Sequence, residues 1–178
     1  MNKAASTQTK EFIEGFNLTP QLLGQTGLSV SEVGFGSYRV DDRSMDHQEA
    51  LEQAILSGIN LIDTSSNYGD GHSELLIGRV INQLVSEQKV SREALVFVSK
   101  GGYIQGENYI DSQERKSKGE PFPELVEYAK GLEHCIHPDC LDHQLTGSLK
   151  RLKVECIDVY LLHNPEYFKL KAQQDGQS

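Results

Sequence analysis

Four short apolar runs set the strongest limit on what this chain can fold into. They are "VGFG" (33–36), "INLID" (59–63), "ALVFVSK" (94–100) and "CIDVYLLH" (156–163), and segments of helical periodicity separate them. A run that is apolar at successive positions is what a strand covered on both faces looks like. Such strands, alternating with amphipathic helices, build a parallel sheet. The first helical segment, "SMDHQEALEQAILSGI", spaces Ala50, Leu51, Ala54 and Ile55 for one face and puts Gly58 where a C-cap glycine belongs. The second, 73–88, lines up Leu75, Leu76, Val80, Ile81 and Leu84, with Ser73 as candidate N-cap. The third, 138–152, carries Pro138 in its first turn and Leu141, Leu145, Leu149 and Leu152 on one face. Two architectures satisfy this order: an open doubly wound sheet, or part of a (β/α)8 barrel.

The remaining segments are read by their breakers. Residues 1–20, polar and ending at Pro20, are expected to be a flexible arm. "QLLGQTGLSVSE" (21–32) places Thr26-Gly27 between two short alternating runs, which predicts a β-hairpin. A long polar segment, 101–137, holds several glycines and prolines; loops of that length are uncommon and often functional. Residues 169–178 read as a polar tail.

Charge and cysteine content narrow the function classes. Lys and Arg number 17 against 26 Asp and Glu, a net charge of −9 with no basic cluster. That balance argues against a nucleic-acid or anionic-membrane surface. No run reaches the length of a membrane span, and the N-terminus lacks the apolar core of a secretory signal. Three cysteines give no disulfide framework, so a cytoplasmic, reducing location is expected.

The chemistry concentrates where strands end. In parallel α/β folds, ligands bind at the carboxyl edge of the sheet. Here the second strand ends on Asp63, the third on Lys100 and the fourth on His163, with Tyr68 just past Asp63. A phenol is a weak acid at neutral pH, and a neighbouring cation makes it a better proton donor. Lys100 supplies that cation, Asp63 holds it in place, and His163 orients an oxygen or shares the proton. Each residue alone has a plainer explanation: Asp63 as a cap for nearby amides, Lys100 solvated, His163 ending a strand. Three such ends on consecutive strands are harder to dismiss. "HCIHPDCLDH" (134–143) gathers three His and two Cys but lacks the paired spacing of a zinc site, so no metal is expected.

Four stretches, "LGQTGLSVSEVGFGSYR", "INLIDTSSNYGDGHSELLIGRVI", "VFVSKGG" and "SLKRLKVECIDVYLLHNPE", together resemble the aldo-keto reductase family from about residue 22 to 168. The resemblance implies a (β/α)8 barrel with NADP(H) across its C-terminal rim, and hydride transfer between that cofactor and a carbonyl or alcohol. It implies Tyr68 as general acid, Lys100 and Asp63 as the pair that tunes it, and His163 as the residue that orients the substrate. Ser37 and Tyr38, with Asp63, match positions near the nicotinamide ribose. Asn164 and Tyr103 are expected to face the substrate, with Tyr109 and Phe122 as further aromatics of the same loop. "GFGSYR" is no dinucleotide fingerprint, because Arg39 stands at its final position.

Residues 21–168 thus read as the N-terminal half of such a barrel. A complete one needs about 250 residues and eight strands. The expectation is a truncated chain, lacking the later strands that in relatives grip the nicotinamide and the 2′-phosphate. Its open sheet edges invite self-association or a complementing chain. The alternative is a non-catalytic half-barrel that binds or regulates a partner.

Overall fold

The computed structural model describes residues 3–174. A helix, α1 (Ser6–Glu14), leads into a hairpin of β1 (Gln21–Leu22) and β2 (Ser29–Val30). Then come β3 (Phe35–Gly36), α2 (Met45–Leu56), β4 (Leu61–Asp63), α3 (His72–Ser86) and β5 (Val96–Gly101). An excursion follows, made of β6 (Tyr103–Ile104), α4 (Glu107–Ser117), β7 (Val126–Ala129) and β8 (Leu132–His134). The described chain closes with α5 (Pro138–Leu152), β9 (Val159–Leu162) and α6 (Pro165–Gln174).

The sheet order decides between the two architectures. β3, β4, β5 and β9 pair in parallel in that order, so each new strand joins the same edge. A doubly wound sheet reverses its order at a switch point. This sheet does not reverse, and it has the sequential winding of a (β/α)8 barrel, of which it forms part.

Residues alternate across the sheet. Ile62 and Phe97 turn toward the helices and join Leu51, Ile55, Leu76, Ile77, Val80, Ile81, Leu84, Leu95 and Leu152 in the main core. Leu61, Val96 and Val159 belong to a smaller cluster with Val30 and Ala4 of the N-terminal region. β5 is buried at five of its six positions, as its continuous apolar run predicts. On β9, Leu161 and Leu162 are exposed.

Polar staples close the end of the sheet opposite the strand tips. Buried Asn60 donates from Nδ2 to the carbonyls of Ser29 and Ala94, and its Oδ1 accepts from the Ser31 amide. That one side chain ties the hairpin to two strands. Asp158, almost fully buried, accepts from the Ala4 amide, the Phe97 amide and Arg92 Nη2, the last at 2.9 Å. A buried ion pair of this kind costs desolvation, and it is tolerable because both oxygens are satisfied.

Several expectations need correction. Residues 6–14 are not a flexible arm but α1, with Thr9 and Ile13 fully buried and the Ala5 amide bonded to the Glu93 carbonyl. Residues 169–174 continue α6 rather than trail as a tail; 175–178 lie outside the described residues. Ser73 does not cap α3. Left-handed Gly71 stands at that position, and the Ser73 hydroxyl reaches the Ser37 carbonyl instead. In α2 only Leu51 and Ile55 are buried, while Ala54 is half-buried and Ala50 exposed. In α5 the buried line is Cys140, Gln144, Ser148 and Leu152; of the expected leucines Leu152 lies on it, while Leu141, Leu145 and Leu149 sit one step round and are half-buried. The segment 101–137 is no plain loop. β6, β8 and β7 form an antiparallel sheet under α4, pinned by buried Glu133, which accepts from Ser112 Oγ and Gln113 Nε2 and pairs with Lys116.

α3 and α5 touch backbone to backbone. A Cβ on Gly78 would stand 2.5 Å from the Arg151 carbonyl oxygen and 2.7 Å from that of Leu152. In an isolated helix alanine would be favoured over glycine by about 1 kcal/mol. Here the methyl can enter only if one helix shifts, so Gly78→Ala is expected to destabilise by about 1–3 kcal/mol, as overpacked cores do. Urea unfolding measures it; unchanged or raised stability would show that the helices are not seated this closely.

Candidate active site

Adjacent strands bring the acid and the amine together. β4 and β5 pair with Asp63 opposite Val98, so Lys100, two residues on, stands on the same face at the rim. Its ammonium has three protons and three acceptors: Asp63 Oδ1 at 2.7 Å, the Thr64 carbonyl at 2.8 Å and the Tyr68 hydroxyl at 3.2 Å. The Lys100 side chain is 13% exposed, which leaves little room for water to compete. The phenol oxygen accepts from Lys100, so its own proton is available for another acceptor.

Tyr68 reaches this position through a tight turn. It opens a 3-10 turn, Tyr68–Gly71, in which Gly69, Asp70 and Gly71 all take positive φ. Glycine adopts that region freely and Asp better than most residues, which is why "YGDG" can fold there. Gly106 packs against the turn from the excursion. A Cβ on Gly106 would fall 1.8 Å from Asp70 Oδ1, so a larger residue would have to displace the Asp70 carboxylate.

His163 is fixed on both sides. Its amide donates to the Gly101 carbonyl at 2.7 Å, and its own carbonyl accepts from His134 Nε2 at 2.7 Å. Its ring Nδ1 lies 3.0 Å from Ser65 Oγ. The imidazole stands edge-on to Tyr68, with 5.8 Å between ring centroids, and 5.1 Å from the Tyr103 ring. Burial, and then the charge of Lys100, push its pKa down to about 4.

Asp63, Tyr68, Lys100 and His163 therefore meet on one rim. Tyr38 is exposed and sets its ring against Tyr68 at 5.2 Å, while Tyr103 flanks His163. Ser37 lies at the rim but is fully buried, with its hydroxyl committed to the Asp63 carbonyl at 2.8 Å. Asn164 follows His163 in a left-handed conformation, and its carbonyl accepts from the Tyr167 amide. Phe122 points away, into the small core of the excursion, where Tyr109 packs against it.

The residues of 134–143 serve separate ends. His134 holds His163, His137 Nδ1 caps α5 through the Asp139 amide, and His143 pairs with Asp111. Among the described residues no three His, Cys, Asp or Glu gather as a metal site would require. Sequence reasoning also passed over the supports behind the rim. Fully buried Glu74 accepts from Ser99 Oγ and Arg151 Nε, both at 2.8 Å, and so ties α3 to β5 and α5. Gln144 accepts from the Gly102 amide at 2.6 Å and steadies the chain as it leaves Lys100. A lone charge or amide on an otherwise apolar helix face was the available signal.

The fold and rim define a partial (β/α)8 barrel with a Tyr–Lys–Asp–His cluster at its carboxyl edge. The chain belongs to the aldo/keto reductase family, whose model matches residues 32–169. It is 27% identical over 149 residues to the NADH-specific methylglyoxal reductase of Escherichia coli, covering 79% of this chain and 40% of that protein. It is 27% identical over 150 residues to the NAD(P)H-dependent D-xylose reductase of Scheffersomyces stipitis, covering 84% of this chain and 36% of that one. Among solved structures, the holo form of the aldo-keto reductase AKR11C1 from Bacillus halodurans shares the fold. The TM-score is 0.62 at 21% identity, over 90% of this chain and 48% of the other. The chain thus spans less than half the length of these relatives.

The depressed pKa of His163 makes stability depend on pH. The ordinary value is 6.5 and the folded value about 4, so between them the unfolded chain binds more protons. Stability then rises with pH across that window. It is fully present above about 6.5 and lost as pH falls toward about 4. His134, whose pKa burial also lowers, acts in the same direction. After discounting for partial exposure, His163 should account for about 1–2 kcal/mol. Urea unfolding across this window is expected to show a shallower pH dependence in His163→Gln than in the parent chain; equal slopes would contradict it.

Proposed function

We propose that this rim reduces a small carbonyl compound to an alcohol, or runs the reverse, with Tyr68 as the proton donor. The observation that carries the reading is the Lys100 ammonium, shared between Asp63 and the Tyr68 oxygen. As a carbonyl oxygen gains negative charge, Tyr68 gives it a proton and leaves charge on its own oxygen. Lys100 already donates to that oxygen and stabilises the charge, while Asp63 keeps Lys100 aligned. His163 orients the substrate, and Tyr103 and Asn164 flank it. The exposed Tyr38 ring and the exposed part of Asp63 border Tyr68, where a flat nicotinamide ring would lie. When bound there, NADP(H) or its NAD counterpart supplies the hydride. Ser37, its hydroxyl committed to the Asp63 carbonyl, steadies Asp63 rather than offering a free hydroxyl.

The names of the relatives support a nicotinamide cofactor and carbonyl substrates. The acidic surface fits small-molecule partners rather than nucleic acid. The three free cysteines suit a reducing, cytoplasmic setting, and among the described residues no helix is long and apolar enough to cross a membrane. The exposed leucines of β9 lie on the open edge strand, where a further strand would add.

The test is oxidation of NADPH or NADH with methylglyoxal and D-xylose, the compounds named in the relatives. Tyr68→Phe is expected to lower the rate at least about 100-fold with cofactor binding retained, since a general acid contributes about 10²–10⁴-fold. Lys100→Met should do the same. Full activity in Tyr68→Phe would end the assignment. Absence of cofactor binding by the parent chain would favour a half-barrel that acts through a partner.

A further inference from the structure

Cys135 and Cys140 pack side by side in the small core with Ile104 and Phe122, and both are fully buried. Cys135 follows the end of β8, and Cys140 stands in the first turn of α5. A buried cysteine is ordinarily a small apolar filler. These two also bond to each other. The Cys140 thiol donates to the Cys135 sulfur, and the Cys135 thiol donates on to the Pro123 carbonyl at 3.3 Å. The bond from Cys140 pulls the Cys135 pKa below its ordinary value against burial, and the His137 amide adds to the pull. The same bond, and then burial, push the Cys140 thiol up. One sulfur is thus the better nucleophile, and its neighbour holds a proton beside it.

The backbone around this pair reaches the rim. The Cys135 amide donates to the Gly102 carbonyl at 2.9 Å, and the Gly102 amide donates to Gln144, one turn along α5 from Cys140. Gly102 lies two residues past Lys100 and is therefore gripped by both segments that carry the cysteines. His134, next to Cys135, holds the His163 carbonyl. A disulfide needs its sulfurs at about 2.05 Å, well inside the reach of a thiol hydrogen bond. Closing it draws the end of β8 and the start of α5 toward each other on either side of Gly102.

We propose that Cys135 and Cys140 are a redox-active dithiol that hydrogen peroxide closes to a disulfide, and that the closure is felt at the rim through Gly102 and His134. The Cys135 thiolate attacks one oxygen of the peroxide. The O–O bond breaks, Cys135 becomes a sulfenic acid, and the departing hydroxide takes up the proton that the thiol had lost. Cys140 then gives up its proton and attacks the sulfenic sulfur. The S–S bond forms, the S–O bond breaks, and a second water leaves. Two thiols have lost two electrons, and the peroxide is reduced to two waters. A small thiol reverses the closure by exchange. Cys156, half-buried and bonded to the Ile157 carbonyl, lies outside this core and serves as internal control.

Peptide mass mapping of the peroxide-treated full chain, capped with N-ethylmaleimide in urea without reduction, tests the pair. No Lys or Arg lies within 131–149, so trypsin leaves both cysteines on the peptide 131–150 and Cys156 on another. The expected result is a 131–150 peptide that carries no cap and is lighter than the dithiol by two hydrogens, reverting with dithiothreitol. In Cys140→Ser the reaction should stop at a Cys135 sulfenic acid, which dimedone traps. A fully capped 131–150 peptide, while Cys156 oxidises, overturns the proposal; dimedone on Cys140 of Cys135→Ser, with none on Cys135 of Cys140→Ser, overturns the order of attack. Circular dichroism checks that each variant is folded. The link to the rim is read by proton NMR of the His163 ring, assigned through His163→Gln. Peroxide should shift that signal in the parent chain and leave it in place in Cys140→Ser. An unmoved signal in the oxidised parent chain overturns the link.

Discussion

One ammonium group organises the rim. Lys100 has three protons, and the fold provides three acceptors for them: a carboxylate from β4, a carbonyl one residue later and the phenol of the following turn. Because all three lie within one stretch of chain, 63–68, the lysine dictates how that stretch leaves the sheet. The left-handed turn after Tyr68, the glycine that makes room for it and the burial of Ser65 all follow from bringing the phenol back over the strand end. Neighbouring bonds support the same stretch: the Thr64 amide donates to the Val98 carbonyl, and Ser66 Oγ reaches the Lys100 carbonyl.

The two ends of the sheet are built on different principles. At the far end, Arg92 pairs with Asp158, Asp158 accepts from the Phe97 amide, and Asn60 donates to the carbonyls of Ser29 and Ala94. At the near end the polar groups keep spare capacity: the Tyr68 proton, one nitrogen of His163, the exposed part of Asp63. This is the usual division of a (β/α)8 fold, with one face for stability and the other for chemistry.

Much of this was legible in the sequence, for a physical reason. Strand and helix periods repeat locally, so "INLID", "ALVFVSK" and the α5 segment could be placed without tertiary information, and the three ionisable strand ends followed from the same periods. What stayed hidden depends on distant partners. Ser65 meets a residue 98 positions away, Glu74 one 25 away and His134 one 29 away. Of these, only Glu74, a lone charge on an apolar helix face, carries a local mark. α1 was missed because it buries only Thr9 and Ile13, too sparse a stripe to announce a helix. The excursion was misread because its strands are two to four residues long and its glycines and prolines look like loop.

The excursion between β5 and α5 grips the rim at two points. Gly106 presses on the turn that carries Tyr68, and His134 holds the backbone of His163. It is therefore scaffolding rather than a removable lid. A chimera that swapped this insert for that of a relative would inherit the donor's way of holding both residues. Grafting it to alter ligand choice would amount to rebuilding the machinery, unless those two footholds travelled with the graft.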